Sequence, residues 1–122
     1  MNAPVTISEA TSQYLEYLQH HGKSERTLYT YGRDIQQILA FFGPDRAINN
    51  IPLPLMGRFL KSDELLKLPN GQDRAPQTVN KTIRVFRMFM QWLVYVNYLP
   101  EITLPKAIQL KTKINTSPNR DR

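Results

Sequence analysis

The segment "APQTVNKTIRVFRMFMQWLVYVNYL", residues 75–99, carries cations at Lys81, Arg84 and Arg87 and contains no Asp or Glu. Soluble helices usually mix both signs of charge on the side that faces water, because opposite charges three or four residues apart attract and like charges repel. Lys and Arg donate hydrogen bonds to phosphate oxygens, and Arg, Asn and Gln can also pair with base edges in a major groove. These residue types therefore favour binding to nucleic acid.

The sequence contains no clear motif for a metal site or a nucleotide-binding site. His20 and His21 are adjacent, so their side chains point to different sides of a helix and cannot chelate one ion together. Asp63 and Glu64 are also neighbours and indicate an ordinary solvated turn. The chain contains no cysteine, and its five glycines do not cluster in a phosphate-binding loop. We expect no metal, no cofactor and no small-molecule substrate.

Nucleophilic catalysis has no candidate among the six tyrosines. Tyr14, Tyr17 and Tyr31 occupy core-type positions of predicted helices. Tyr29 has no histidine or basic cluster near it in the sequence that could activate its hydroxyl. The sequence predicts no active site, so we expect that this chain is not an enzyme by itself.

Length and charge limit the class of protein. The 122 residues are enough for one domain with one hydrophobic core. No apolar run approaches the length that crosses a bilayer, and the N-terminus lacks the features of a secretory signal, which predicts a soluble, cytoplasmic protein. The net charge of +6 favours a polyanionic partner. Residues 106–122 hold five basic side chains against Asp121, so this segment is predicted to be a basic tail.

Four helical regions position these side chains, and no strand is predicted. The first region begins at Thr6, with Glu9 completing a capping box, and ends at Gly22. The second begins at Ser24 and ends at Phe42, and the fourth begins near Pro76 and ends before Pro100. The third region, 54–68, is ambiguous: Pro54 suits a first helical position, Gly57 weakens a helix, and Ser62 could cap a separate short turn. Short loops between helices predict a compact all-α bundle.

The second and fourth helices each have a polar face opposite an apolar stripe. At about 100° per residue, the polar face of the second helix holds Arg26, Thr30, Arg33 and Gln37. The same projection places Gln77, Asn80, Lys81, Arg84, Arg87, Gln91 and Tyr95 on the polar face of the fourth helix. Ser24, Thr27, Gln77 and Thr78 lie at the N-terminal ends, where free amides favour phosphate.

An ordinary solvated face is the alternative interpretation. For the second helix alone it is the better one, because Glu25 and Asp34 balance the cations. For the fourth helix it is weaker, because a solvated face has no reason to exclude acids over so long a span.

Three segments, in order, resemble the N-terminal core-binding domain of tyrosine recombinases, the phage-integrase family. "SERTLYTYGRDIQQILAFFG" is similar to that domain's S-x-x-T-x-x-x-Y-x-x-D-[IL] pattern, and "PQTVNKTIRVFRMFMQWLVYVNYLP" is similar to its later helix. "TISEATSQYLEYL" resembles its opening helix. The resemblance covers about residues 6–105. The segment from Lys61 to Arg74 is longer than the corresponding loop of this domain usually is.

The resemblance implies a SAM-like bundle of four to five helices over residues 1–105, which clasps duplex DNA, and a linker over 106–122 that leads to a separate catalytic domain. The family's catalytic Arg, His-x-x-Arg and Tyr series is not found here, since no His follows His21. Self-association on paired DNA sites follows from the same family analogy. Carried over by position, the DNA-facing residues are Ser24, Arg26, Thr27, Arg33, Gln77, Thr78, Asn80, Lys81, Arg84 and Arg87.

Two other functions fit a basic helical bundle. One is a helical adaptor whose basic face binds an acidic protein partner. The other is a helix-turn-helix regulator, although no recognition-helix spacing stands out in the sequence.

Overall fold

Five helices follow one another in the part of the chain that the computed structural model describes, residues 5–101 and 104–105. They are α1 (Ile7–His20), α2 (Glu25–Phe42), α3 (Leu53–Leu60), α4 (Asp63–Leu66) and α5 (Pro76–Tyr95). No sheet forms among these residues; isolated bridges join Thr6 to Ala47 and Lys67 to Asp73. The all-α prediction is therefore confirmed. The predicted tail, 106–122, lies outside the described residues.

Side-chain caps begin three of the helices where the sequence predicted them. The Thr6 hydroxyl accepts a hydrogen bond from the Glu9 amide, and the Glu9 carboxylate accepts one from the Thr6 amide. The Ser24 hydroxyl accepts a hydrogen bond from the Thr27 amide and caps α2, and the Ser62 hydroxyl accepts one from the Leu65 amide and caps α4. Gly22, which follows the C-cap residue His21 of α1, has a φ of +86°, a conformation that glycine adopts without steric cost.

The ambiguous third region forms two helices rather than one. α3 begins at Leu53, with Pro52 as its N-cap residue, so Pro54 is one position further into the helix than predicted. Gly57 is helical, and Phe59 is completely buried. The packing of the apolar side of α3 outweighs the low helix propensity of a single glycine.

α5 ends before Pro100, as predicted. The helix ends at Tyr95, and Asn97 has a φ of +68°. Asparagine tolerates this left-handed conformation better than most residues, so it reverses the chain before Pro100.

Aromatic side chains form the centre of the core. The rings of Phe42, Phe59 and Phe86 have centroids 5.1–5.6 Å apart and join α2, α3 and α5. Tyr14 joins α1 to α5, because its ring lies 5.7 Å from Phe89 and 5.3 Å from Trp92. α2 and α5 each contact α1, α4 and one another, so these two helices form the centre of the bundle.

Candidate nucleic-acid interface

A narrow strip along α5 faces solvent. Its exposed members are Gln77, Asn80, Arg84, Gln91 and Tyr95, which follow one another at helical spacing. The strip contains one cation, three amides and no carboxylate. It is narrower than the sequence predicted, because α5 is covered by neighbouring helices on several sides.

Arg87 does not lie on the exposed face of α5 where the sequence predicted it. The sequence placed it with the water-facing cations, but the residue is only 8% exposed. It lies four residues after Ile83 and three before Met90, both buried, so it belongs to the edge of the covered side. Burial lowers the pKa of the Arg87 guanidinium, and the charge of Arg84 lowers it further. Among the described residues, neither arginine pairs with a carboxylate. The prediction that Arg87 faces water is therefore wrong.

Lys81 is half-buried and carries an internal counter-ion. Its ammonium donates a hydrogen bond of 2.9 Å to Oδ2 of Asp34, on α2. The Asp34 side chain is only 5% exposed, whereas that of Lys81 is 38% exposed. α5 contains no acidic residue, and the counter-ion of Lys81 is Asp34 of α2, 47 positions earlier in the chain.

The Asp34 carboxylate is the centre of a network that joins three elements. The Thr82 hydroxyl donates to Oδ1 of Asp34 at 2.7 Å and accepts a hydrogen bond from Nη2 of Arg74 at 3.0 Å. Nη1 of Arg74 donates to the carbonyl oxygen of Leu65 at 2.6 Å. Asp34 and Thr82 are buried, and buried polar groups are stable when they are hydrogen-bonded in this way. The network fixes α2 and the end of α4 against α5.

The polar face of α2 presents two exposed arginines, Arg26 and Arg33. The guanidinium carbon of Arg33 lies 5.9 Å from the ring centroid of Tyr29, within the range of a cation–π contact. Tyr29 itself is 66% exposed. Thr30 is half-buried, and its hydroxyl donates to the carbonyl oxygen of Thr27 at 2.9 Å.

The N-terminus of α2 is partly satisfied within the protein. The Ser24 hydroxyl oxygen accepts a hydrogen bond of 3.1 Å from the Thr27 amide, and its hydroxyl donates to Oγ1 of Thr27 at 3.0 Å. The Thr27 amide is therefore not free for a phosphate, contrary to the expectation of open amides. At α5, Ala75 provides no side-chain cap, while the amide of exposed Thr78 donates to the Ala75 carbonyl.

A cleft of about 790 Å³ lies where the polar faces of α2 and α5 meet α4. It brings together three of the predicted residues, Arg33, Thr78 and Lys81. Its walls contain cations, carboxylates and the exposed side chains of Tyr29, Leu68 and Pro69. The lining residues are Tyr29, Thr30, Arg33, Asp34, Gln37, Asp63, Glu64, Lys67, Leu68, Pro69, Gly71, Arg74, Thr78 and Lys81.

The histidines and Tyr14, which by residue type are candidates for metal binding or catalysis, have ordinary structural surroundings in the described residues. His21 lies with Nδ1 2.8 Å from the Tyr17 carbonyl oxygen, and its ring packs on that of Tyr17. No group of three or more His, Asp or Glu side chains there could hold a metal ion. Tyr14 is buried as predicted, and its burial raises the pKa of the phenol, so this hydroxyl stays neutral at physiological pH.

Sequence reasoning missed the polar network. Asp34 was counted as a surface charge of the second helix, but it lies three residues after Tyr31 and four before Ile38, both on the apolar stripe. That position was the available signal, since an acid at helical spacing from core residues must have a buried partner. For Arg74 and Thr82 the sequence held no comparable signal, because their partners lie in other elements.

Comparison with known families gives a match that agrees with this geometry. Residues 11–97 match the model of the phage integrase N-terminal SAM-like domain. The match covers more than two thirds of the chain, and the chain belongs to this family. No curated protein and no solved structure shows significant similarity to it. Within the described residues, none of the helices has the apolar length required to traverse a lipid bilayer.

Proposed function

We propose that this chain is the DNA-binding, core-binding domain of a site-specific tyrosine recombinase, and that it grips duplex DNA with the polar faces of α2 and α5. The observation that carries the proposal is the exposed strip of α5, where Arg84 stands among three amides without a carboxylate. Arg26 and Arg33 extend this positive surface onto α2. The side chains of Arg, Asn and Gln on this surface can donate hydrogen bonds to phosphates and can form paired hydrogen bonds with base edges.

The side chains divide into two roles. Arg26, Arg33 and Arg84 are exposed and charged, so they anchor the phosphate backbone. Gln77 and Asn80 lie on the first turns of α5, and their amides can donate to and accept from base edges. Ser24, Thr27 and Thr78 provide short polar contacts near the two helix N-termini, where the helix dipole favours a phosphate.

Carboxylates at the far side of the cleft limit how a duplex can approach. Asp63 and Glu64 on α4 are exposed and line the cleft opposite α2. Each would repel a phosphate placed within a few ångströms. The DNA backbone is therefore expected to follow α2 and the exposed strip of α5, and to avoid α4.

In the full recombinase, residues 1–105 would form the DNA-binding domain and 106–122 a basic linker to a catalytic domain that cleaves and joins the strands. This division rests on the family and on the five basic residues of the tail. Self-association on paired DNA sites and action in the cytoplasm belong to the same proposal.

Backbone NMR tests the proposed surface directly. On titration of the ¹⁵N-labelled chain with a short duplex, we expect the amide signals of Arg26, Arg33, Gln77 and Arg84 to shift most, because these residues lie on the proposed surface. Signals of Glu16 and Arg58, exposed on α1 and α3, serve as the internal control and should move little. Largest shifts on α1 or α3 would contradict the assignment of the surface.

A further inference from the structure

We infer that Asp34 sets the effective charge of the DNA-facing side of α5: it neutralises Lys81 inside the protein, so Arg84 is the α5 cation that neutralises a backbone phosphate. This inference rests on the proposed function, since it concerns the same surface. Asp34 therefore affects DNA binding indirectly, because it keeps Lys81 from neutralising a phosphate.

The geometry allows little freedom to the Lys81 ammonium. It lies 2.9 Å from Oδ2 of Asp34, while Oδ1 of the same carboxylate accepts the Thr82 hydroxyl at 2.7 Å. Both carboxylate oxygens are thus used, and only 5% of the Asp34 side chain is exposed. Lys81 is the direct cationic partner of Asp34 among the described residues.

Moving Lys81 onto a phosphate would leave a buried carboxylate without its counter-ion. A buried charge without a partner is strongly unfavourable, and only the Thr82 hydroxyl would remain on Asp34. Arg74 does not replace the lysine, because its guanidinium is held by the Leu65 carbonyl and the Thr82 hydroxyl. Lys81 therefore stays paired when a duplex approaches.

Arg84, unlike Lys81, has no internal counter-ion among the described residues. It is exposed on the α5 strip, and no carboxylate pairs with it in the described part of the chain. Each phosphate that a cation neutralises releases about 0.9 counterion from B-DNA. We expect no such release for Lys81, because Asp34 already neutralises it. The slope of log affinity against log salt concentration therefore distinguishes the two residues.

Matched substitutions test this difference. Lys81→Gln and Arg84→Gln each remove one charge from α5, and duplex affinity is measured for both over a salt series. We expect Arg84→Gln to reduce the magnitude of the slope by about 0.9 and Lys81→Gln to leave it unchanged. An equal reduction by both variants would overturn the inference, because Lys81 would then neutralise a phosphate in spite of Asp34.

A gain-of-charge variant tests the role of Asp34 itself. Asp34→Asn keeps an oxygen that can accept from Thr82 but removes the counter-ion of Lys81. We expect the magnitude of the slope to rise by about 0.9, and Lys81→Gln added to this variant should restore the original slope. A folded Asp34→Asn variant with an unchanged slope would count against the inference. If Asp34→Asn or Lys81→Gln does not fold, as circular dichroism would show, the double variant Asp34→Asn/Lys81→Gln, which leaves no buried charge of this pair without a partner, is compared with Arg84→Gln. An unchanged slope for the double variant supports the inference, and a slope reduced in magnitude by about 0.9 overturns it.

Failure of the proposed function would give a different result. The unmodified chain would then show no salt-dependent affinity for duplex DNA, or Arg84→Gln would leave the slope unchanged. If the inference alone fails, the chain still binds duplex DNA and Arg84→Gln still reduces the magnitude of the slope. Lys81→Gln then also reduces it, instead of leaving it unchanged.

Discussion

Arg84 and Arg87 are separated by a single helical turn, yet their surroundings differ completely. Arg84 is exposed on the strip of α5, whereas Arg87 is 8% exposed at the edge of the core. A helical projection treats both as polar positions, because it contains no information on how many neighbours cover the helix. The same limit applies to Lys81, whose partner Asp34 comes from another helix.

Substituting the two arginines should therefore have different effects on DNA affinity. Under the proposed function, Arg84→Met would remove a charge-assisted hydrogen bond to phosphate, which is worth roughly 1.5–3 kcal/mol, so we expect duplex affinity to fall by about tenfold or more at low salt. Arg87→Met should change the affinity by less than about twofold, because Arg87 is only 8% exposed at the edge of the core. Electrophoretic mobility shift measurements on one duplex compare the two variants.

Arg58 provides the matched control for net charge. It is exposed on α3, which is not one of the two helices of the proposed surface, and Arg58→Met removes the same charge as Arg84→Met. A loss of affinity as large as that of Arg84→Met would show that total charge, rather than the α5 strip, determines binding.

At the scale of the helices, the strongest sequence signals were the caps. Thr6, Ser24 and Ser62 each begin a helix as predicted, since a hydroxyl that satisfies a free amide acts over only a few residues. The boundary of α3 was less predictable, because the burial of Met56 and Phe59 fixes that helix through contacts distant in sequence. The Asp34 network was missed for the same reason.

Removal of the capping box should have a measurable effect on stability. In Thr6→Ala the Glu9 amide loses its acceptor, so we expect the free energy of unfolding to decrease by about 1 kcal/mol. Urea denaturation followed by circular dichroism measures the change. Ser12→Ala, at an exposed position within the same helix, is the control and should alter the free energy by less than about 0.5 kcal/mol. Equal effects of the two substitutions would show that the box does not stabilise α1.

At the scale of the whole molecule, the net charge of +6 is divided between a nearly balanced helical part and the basic tail. Positive charge on the helical part therefore depends on how the side chains are distributed. The family match agrees with the three sequence segments that suggested it, and the all-α architecture agrees with the predicted helices. The position of each cation on the surface could be established only with the fold, since it depends on long-range pairs such as Lys81 with Asp34.

The most direct measurement of the central claim is fluorescence anisotropy of a labelled duplex, titrated with the chain over a series of salt concentrations. The proposed interface predicts that log affinity falls linearly with log salt concentration, and that replacing both Arg33 and Arg84 by Gln reduces the magnitude of the slope by about 1.8. An affinity for acidic proteins without affinity for duplex DNA, or a slope that the double substitution leaves unchanged, would contradict the proposal that α2 and α5 form a DNA-binding surface.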